Sequence, residues 1–149
     1  MKETVIIMIP VYNDFASLEI KKEIGDSIGI ADTYNSIGIV YDKLGNYSDA
    51  LLNQFNALRI HSKLDNKKGL AATYNNLGGL YLYHLELDES RKYYQLCIDI
   101  STKIGLEEGM IVCCIIYYLK VASCNILVCD KRSKSNETCI SILESKILH

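Results

Sequence analysis

From Ala31 onward, small and apolar residues fall at steps of three and four: Ala31, Tyr34, Ile37, Gly38 and Tyr41. That spacing places them on one face of an α-helix. The run ends at Leu44-Gly45-Asn46, where Gly45 and Asn46 tolerate the left-handed backbone that closes a helix. Ser48 and Asp49 then read as N-cap and first-turn residues of a second helix. Its Tyr47, Ala50, Leu51, Phe55, Ala57, Leu58 and Leu64 are expected to face the first. Asp65-Asn66 make the next break, and Lys67-Lys68-Gly69 open a helix near 68–84. A turn at Leu85–Leu87 leads into another helix, from Asp88 to about Ile104.

The pattern repeats. Residues 31–41 (ADTYNSIGIVY) lie over residues 71–81 (AATYNNLGGLY) with Ala31/Ala71, Thr33/Thr73, Tyr34/Tyr74, Asn35/Asn75, Gly38/Gly78 and Tyr41/Tyr81 identical. The same offset of 40 links Ile20, Ile60 and Ile100, and then Gly29, Gly69 and Gly109. Ser90 replaces Ala50 and Cys97 replaces Ala57, both small, as close approach of two helix backbones requires. Two short-linked helices per period form an antiparallel hairpin, and stacked hairpins form a solenoid. The fold expected is therefore all-α, a superhelix of hairpins spanning residues 1–149 as one domain.

Both ends depart from the pattern. Pro10 suits a first helical position, so an orphan helix is expected from about Val11 to Ile24, preceded by an irregular apolar arm. Residues 1–25 would then stand in for a truncated repeat. Downstream, 107–149 reads as a degenerate repeat with capping helices: Tyr118 falls where Gly38 and Gly78 stand, and Asp130 where Ala50 and Ser90 stand. Met110–Cys129 is long enough to span a membrane, but Lys120 and Asn125 oppose that, and a buried or partner-covered helix is expected instead. Asn136 would cap a terminal amphipathic helix carrying Ile140, Leu143 and Ile147, after an exposed loop at 130–135.

Composition narrows the function more than it names it. With 16 basic and 18 acidic residues in 149, the net charge is −2, and no basic concentration suggests nucleic acid. Five of the six cysteines lie beyond residue 110 without C-x-x-C spacing, so neither a disulfide framework nor a metal site is expected. The N-terminus makes a poor secretion signal, and a cytoplasmic protein with reduced thiols is expected. His61, His84 and His149 occupy unrelated places, and His61 and His84 are expected to face solvent. No phosphate loop, catalytic triad or metal-binding helix motif occurs. No catalytic residue, cofactor or metal is therefore expected.

Tyr34-x-x-Ile37-Gly38-x-x-Tyr41, followed by Leu44-Gly45-x-Tyr47-x-x-Ala50 and Ala57, resembles the signature of the tetratricopeptide repeat (TPR). The period resembles the long-repeat variant frequent in bacterial signalling proteins, and the two full units are 29–64 and 69–104. The resemblance implies a scaffold that binds a peptide or helix of another protein in a concave groove lined by the first helix of each hairpin. Carried over, the groove positions are Asp32, Asn35, Ile39 and Asp42, then Ala72, Asn75, Gly79, Leu82 and Tyr83. Asn35 and Asn75 would clamp an extended backbone, or else bond along and between neighbouring helices. Lysine and arginine are absent from these positions while Asp32 and Asp42 are acidic, which opposes a carboxylate clamp and suits a neutral, basic or amphipathic partner. Two alternatives stand beside this reading. One is self-association through the irregular ends. The other is a transferase remnant, because Val5–Asp14 resembles the first strand and nucleotide-contacting turn of a family 2 glycosyltransferase.

Overall fold

In the computed structural model, residues 2–106 are described, with side-chain environments from residue 12. Five helices follow in order: α1 (Lys2–Glu23), α2 (Ser27–Lys43), α3 (Tyr47–Lys63), α4 (Lys67–Tyr83) and α5 (Leu87–Lys103). No strand occurs among the described residues. The degenerate repeat, the apolar run Met110–Cys129 and the terminal helix expected from the sequence lie outside the described residues.

The last four helices are each 17 residues long and are separated by three-residue turns, so each helix begins 20 residues after the one before. Every turn is built alike. The residue after the C-cap adopts a positive φ: Gly25 at 73°, Gly45 at 73°, Asp65 at 49°, Leu85 at 62° and Gly105 at 71°. Two reversed backbone bonds close each turn, as where the Gly45 N–H donates to Asp42 O and the Asn46 N–H to Tyr41 O. This is the Schellman closure, and it satisfies carbonyls that a helix end otherwise leaves bare. The residue that completes it also starts the next helix: Asp26 accepts from Gly29 N, Asn46 from Asp49 N and Asn66 from Gly69 N. Asn46, not Ser48, is thus the N-cap of α3, because the closure leaves no residue to spare between helices.

α2 packs against α3 and α4 against α5 as two antiparallel hairpins; α1 lies on α2, α3 on α4, and α2 also touches α4. The contact faces are lined by small residues and larger partners in matching places. Ala31, Ile37, Ala50 and Ala57 are wholly buried in the first hairpin, and Leu77 and Ser90 in the second. A Cβ on Gly38 would stand 2.7 Å from the Gln54 amide nitrogen, and one on Gly78 2.9 Å from the Tyr94 ring. Each glycine is therefore a seat for the side chain facing it from the second helix.

Three expectations are corrected. The N-terminal region is not an arm followed by a helix from Val11: α1 runs unbroken from Lys2, with Pro10 inside it. Proline there removes one helical hydrogen bond, but the helix continues on either side. Val5–Ile9 is consequently helical, and the strand that the glycosyltransferase reading requires is not formed. The buried face of α3 is also not the apolar set expected. Ala50, Asn53, Gln54, Ala57 and His61 are buried, whereas Phe55 and Leu64 are exposed at 38% and 43%. His61 is the third correction, since it is fully buried rather than solvent-facing.

Candidate functional site

The first helices of the two hairpins, α2 and α4, lie side by side, and equivalent positions recur along them at the 40-residue offset. Of the nine positions expected to line a groove, Asp32, Ile39, Ala72 and Tyr83 are exposed, with Tyr83 at 68% and Ile39 at 39%. Asp42, Asn75 and Gly79 are half-buried. Asn35 and Leu82 are buried, so neither offers its side chain to an incoming molecule.

Asn35 has a different task. Its Nδ2 lies 2.9 Å from Thr73 Oγ1, and the same hydroxyl is 3.1 Å from Asn35 Oδ1 and 2.9 Å from Gly69 O. A side chain of α2 is thereby tied to α4 through a buried polar contact. Its backbone carbonyl also accepts from Gln54 Nε2 of α3 at 3.2 Å. Asn35 sits where three helices meet, and the reading in which these asparagines bond between neighbouring helices describes it.

The outward stripe is shifted by one residue. Ser36 is exposed and Asn76 half-buried, one step on from Asn35 and Asn75. Together with Asp32, Ile39 and Lys43 on α2, and Ala72, Gly79 and Tyr83 on α4, they make the outward stripe of these two helices. Sequence reasoning assigned the asparagines by motif position; the Thr33/Thr73 identity was the overlooked signal that one of them has a neighbour on the next hairpin. The surface carries Asp32 in the second turn of α2 and Lys43 at its C-terminal end, with Ile39 between them, and an open tyrosine on α4.

Behind this face the two hairpins hold different chemistry. His61 lies within 3.5 Å of Asp32 Oδ1 through Nε2 and within 3.2 Å of Asn66 Nδ2 through Nδ1. Burial pushes its imidazole below the ordinary value of 6.5, while the Asp32 carboxylate pulls by less in the other direction. In the second hairpin Tyr93 stacks on Tyr81 with centroids 5.5 Å apart, and Tyr74 and Phe55 flank it. Tyr47 bridges the hairpins: its ring lies 3.8 Å from that of His84, and its hydroxyl donates to Glu86 Oε1 at 2.5 Å. Burial first and that carboxylate second raise the Tyr47 phenol well above 10. His84 is half-buried, not solvent-facing as expected.

Among the described residues no group of three or more His, Cys, Asp or Glu side chains could hold a metal ion. Cys97 is a buried cysteine with its Sγ 3.9 Å from Ser101 Oγ, at the place Ala57 holds in the first hairpin. No helix of the described residues is long and apolar enough to cross a membrane.

A tetratricopeptide-repeat family model matches residues 70–104. Members of that family generally mediate protein–protein interaction. No curated protein matches the chain. Among solved structures, the crystal structure of BtubC (BKLC) from P. vanneervenii is similar, with a TM-score of 0.67 at 20% sequence identity. The likeness covers 89% of this chain and 53% of that one, so this chain spans about half the length of its neighbour and shares its fold. The matched segment coincides with α4 and α5, and α2 and α3 repeat it helix for helix. Residues 70–104 are thus similar to a tetratricopeptide repeat, and the described chain is an all-α stack of antiparallel helix hairpins.

Proposed function

We propose that the chain is a non-catalytic scaffold that holds a peptide or helix of another protein against α2 and α4. The observation that supports this most strongly is the outward stripe itself. Two identical-length helices lie side by side and present Asp32, Ile39 and Lys43 beside Ala72, Gly79 and Tyr83 at equivalent positions. Ile39 and Tyr83 supply apolar contact, and Asp32 and Lys43 supply opposite charges on either side of Ile39 along α2. An amphipathic segment with apolar residues between polar ends matches that order. The protein acts in the cytoplasm, without a cofactor and without binding nucleic acid.

The test is binding by a double variant, Ile39→Ala with Tyr83→Ala, which removes both exposed apolar side chains together with the edge contact of Tyr83 on the His84 ring. A partner captured by the native chain should bind at least tenfold more weakly, while thermal unfolding shows that the variant still folds. Undiminished binding would rule out this face. Asn35→Ala is unsuitable, because it breaks the Thr73 contact between hairpins and would weaken the fold as well as any binding.

A further inference from the structure

The joint between the hairpins is formed by the end of α3 and the start of α4. Here the His61 ring, fully buried, lies flat against Gly69 and leaves no room for a Cβ. Beside it, Asn66 caps α4 by accepting from Gly69 N at 3.1 Å, and its Nδ2 lies 3.2 Å from His61 Nδ1. A backbone N–H only donates, so Asn66 must turn Oδ1 toward Gly69 and its amide hydrogens toward the imidazole. His61 Nδ1 must then accept, which puts the ring's single proton on Nε2, 3.5 Å from Asp32 Oδ1 but without a hydrogen bond among the described residues. The cap of α4 and the neutral state of His61 are thus one arrangement.

The other caps lack this coupling. Asp26 caps α2 at 2.9 Å, and the position equivalent to His61 is Lys21, which instead donates to Thr33 Oγ1 at 2.7 Å. Asp32 of α2 is the charged group that faces His61, while Asp65 in the turn and Lys67 and Lys68 of α4 follow close along the chain, Asp65 pairing with Lys67 at 3.8 Å.

We propose that Asn66 and His61 form an acid-sensitive latch between the two hairpins, closed when His61 is neutral and opened when it gains a proton at Nδ1. That proton would face the Asn66 amide hydrogens, donor against donor. If the ring keeps its place, the amide must turn and the cap on Gly69 is lost. If the amide keeps its place, the ring must leave its seat on Gly69. The first frees the start of α4, and the second takes the ring out of the contact between α3 and α4. Acidification below pH 6.5, far enough to protonate His61, would loosen this joint without unfolding either hairpin.

Nuclear magnetic resonance of the full chain tests this between pH 7.5 and 5. Three observables are followed: the His61 ring, its Overhauser contact with the Gly69 α-protons, and hydrogen-exchange protection of the Gly69 amide. His61 should titrate below 6.5, and as it does, either the ring contact is lost or Gly69 protection falls about fivefold, the worth of one cap. Gly29, capped by Asp26, is the internal control and should not change. Asn66→Ser keeps a capping oxygen but removes the amide donors, so the His61 midpoint should rise toward 6.5. A midpoint at or above 6.5 in the native chain, both observables surviving its titration, or no rise in the serine variant would each overturn the latch.

Discussion

The two hairpins share one backbone plan and fill it differently. At five equivalent places the second helix of the first hairpin buries Ala50, Asn53, Gln54, Ala57 and His61, and that of the second buries Ser90, Tyr93, Tyr94, Cys97 and Ser101. One interior rests on polar side chains with fixed hydrogen-bond partners, and the other on stacked rings. The seats match as well: the Gln54 amide occupies the space above Gly38, and the Tyr94 ring that above Gly78. The repeat therefore specifies where a side chain is buried and how near the helices come. It does not specify whether that side chain is held by dispersion or by hydrogen bonds.

The difference yields graded expectations for equivalent substitutions. The largest is at the aromatic stack. Tyr93→Ala removes a ring, 8% exposed, that contacts Tyr74, Tyr81 and Phe55, and should cost about 3 kcal/mol in urea unfolding. Asn53→Ala, at the equivalent place, loses one hydrogen bond to Asp49 O and should cost about 1 kcal/mol. Equal costs would contradict the contrast.

Next come the seats. Gly78→Ala drives a methyl into a ring wedged between helices and should destabilise by about 2 kcal/mol, even after the gain in helix propensity. Gly38→Ala meets the far end of a flexible glutamine, which can turn aside for the loss of its bond to Asn35 O. Its net cost should stay within about 1 kcal/mol of zero, because propensity and lost bonding nearly offset.

Acid separates the hairpins again. His61 has its folded pKa held below the unfolded 6.5, so the native state binds fewer protons and its stability is complete only above about pH 6.5. Stability should fall as pH drops from 6.5 toward the folded value, and His61→Gln should flatten that slope. An unchanged slope would mean that the imidazole titrates freely. The equivalent place in the second hairpin is Ser101, which does not titrate in this range.

The smallest effect belongs to the turns. Leu85 holds a left-handed conformation that glycine adopts at three of the five equivalent turns, and its side chain is 69% exposed. Leu85→Gly should therefore stabilise by about 1 kcal/mol. Gly45→Ala should destabilise by a similar amount, both read as shifts in thermal midpoint.

Most of the architecture could be read from residue spacing. Glycines at 29, 38, 69 and 78, with small residues at 50, 57, 90 and 97, mark the closest helix approaches, and helices α2 to α5 fall within a residue or two of the expected bounds. Apolar periodicity misled where burial is polar. Gln54 and His61 look like surface residues because their burial depends on partners from other helices, Asn35 O and Asn66, which spacing along one helix does not reveal. The Leu85 turn was located, but not its left-handed leucine, since no local residue preference favours that conformation. Pro10 was read as a start signal, although α1 runs through it. Of the candidate face, Asp32, Ile39, Ala72 and Tyr83 are exposed. Asn35 and Leu82 are buried, because the motif gives a position and the neighbouring hairpin decides its exposure.

The account turns on α2 and α4 as the face that meets a partner, and site-directed photo-crosslinking measures that directly. A photoreactive residue placed at Ile39 or at Tyr83 should capture the same polypeptide, with Leu52 of α3 and Leu96 of α5, both exposed on the second helices, as comparison sites. The account expects strong capture from the first two and little from the others. Equal capture from all four, or capture confined to Leu52 and Leu96, would contradict it.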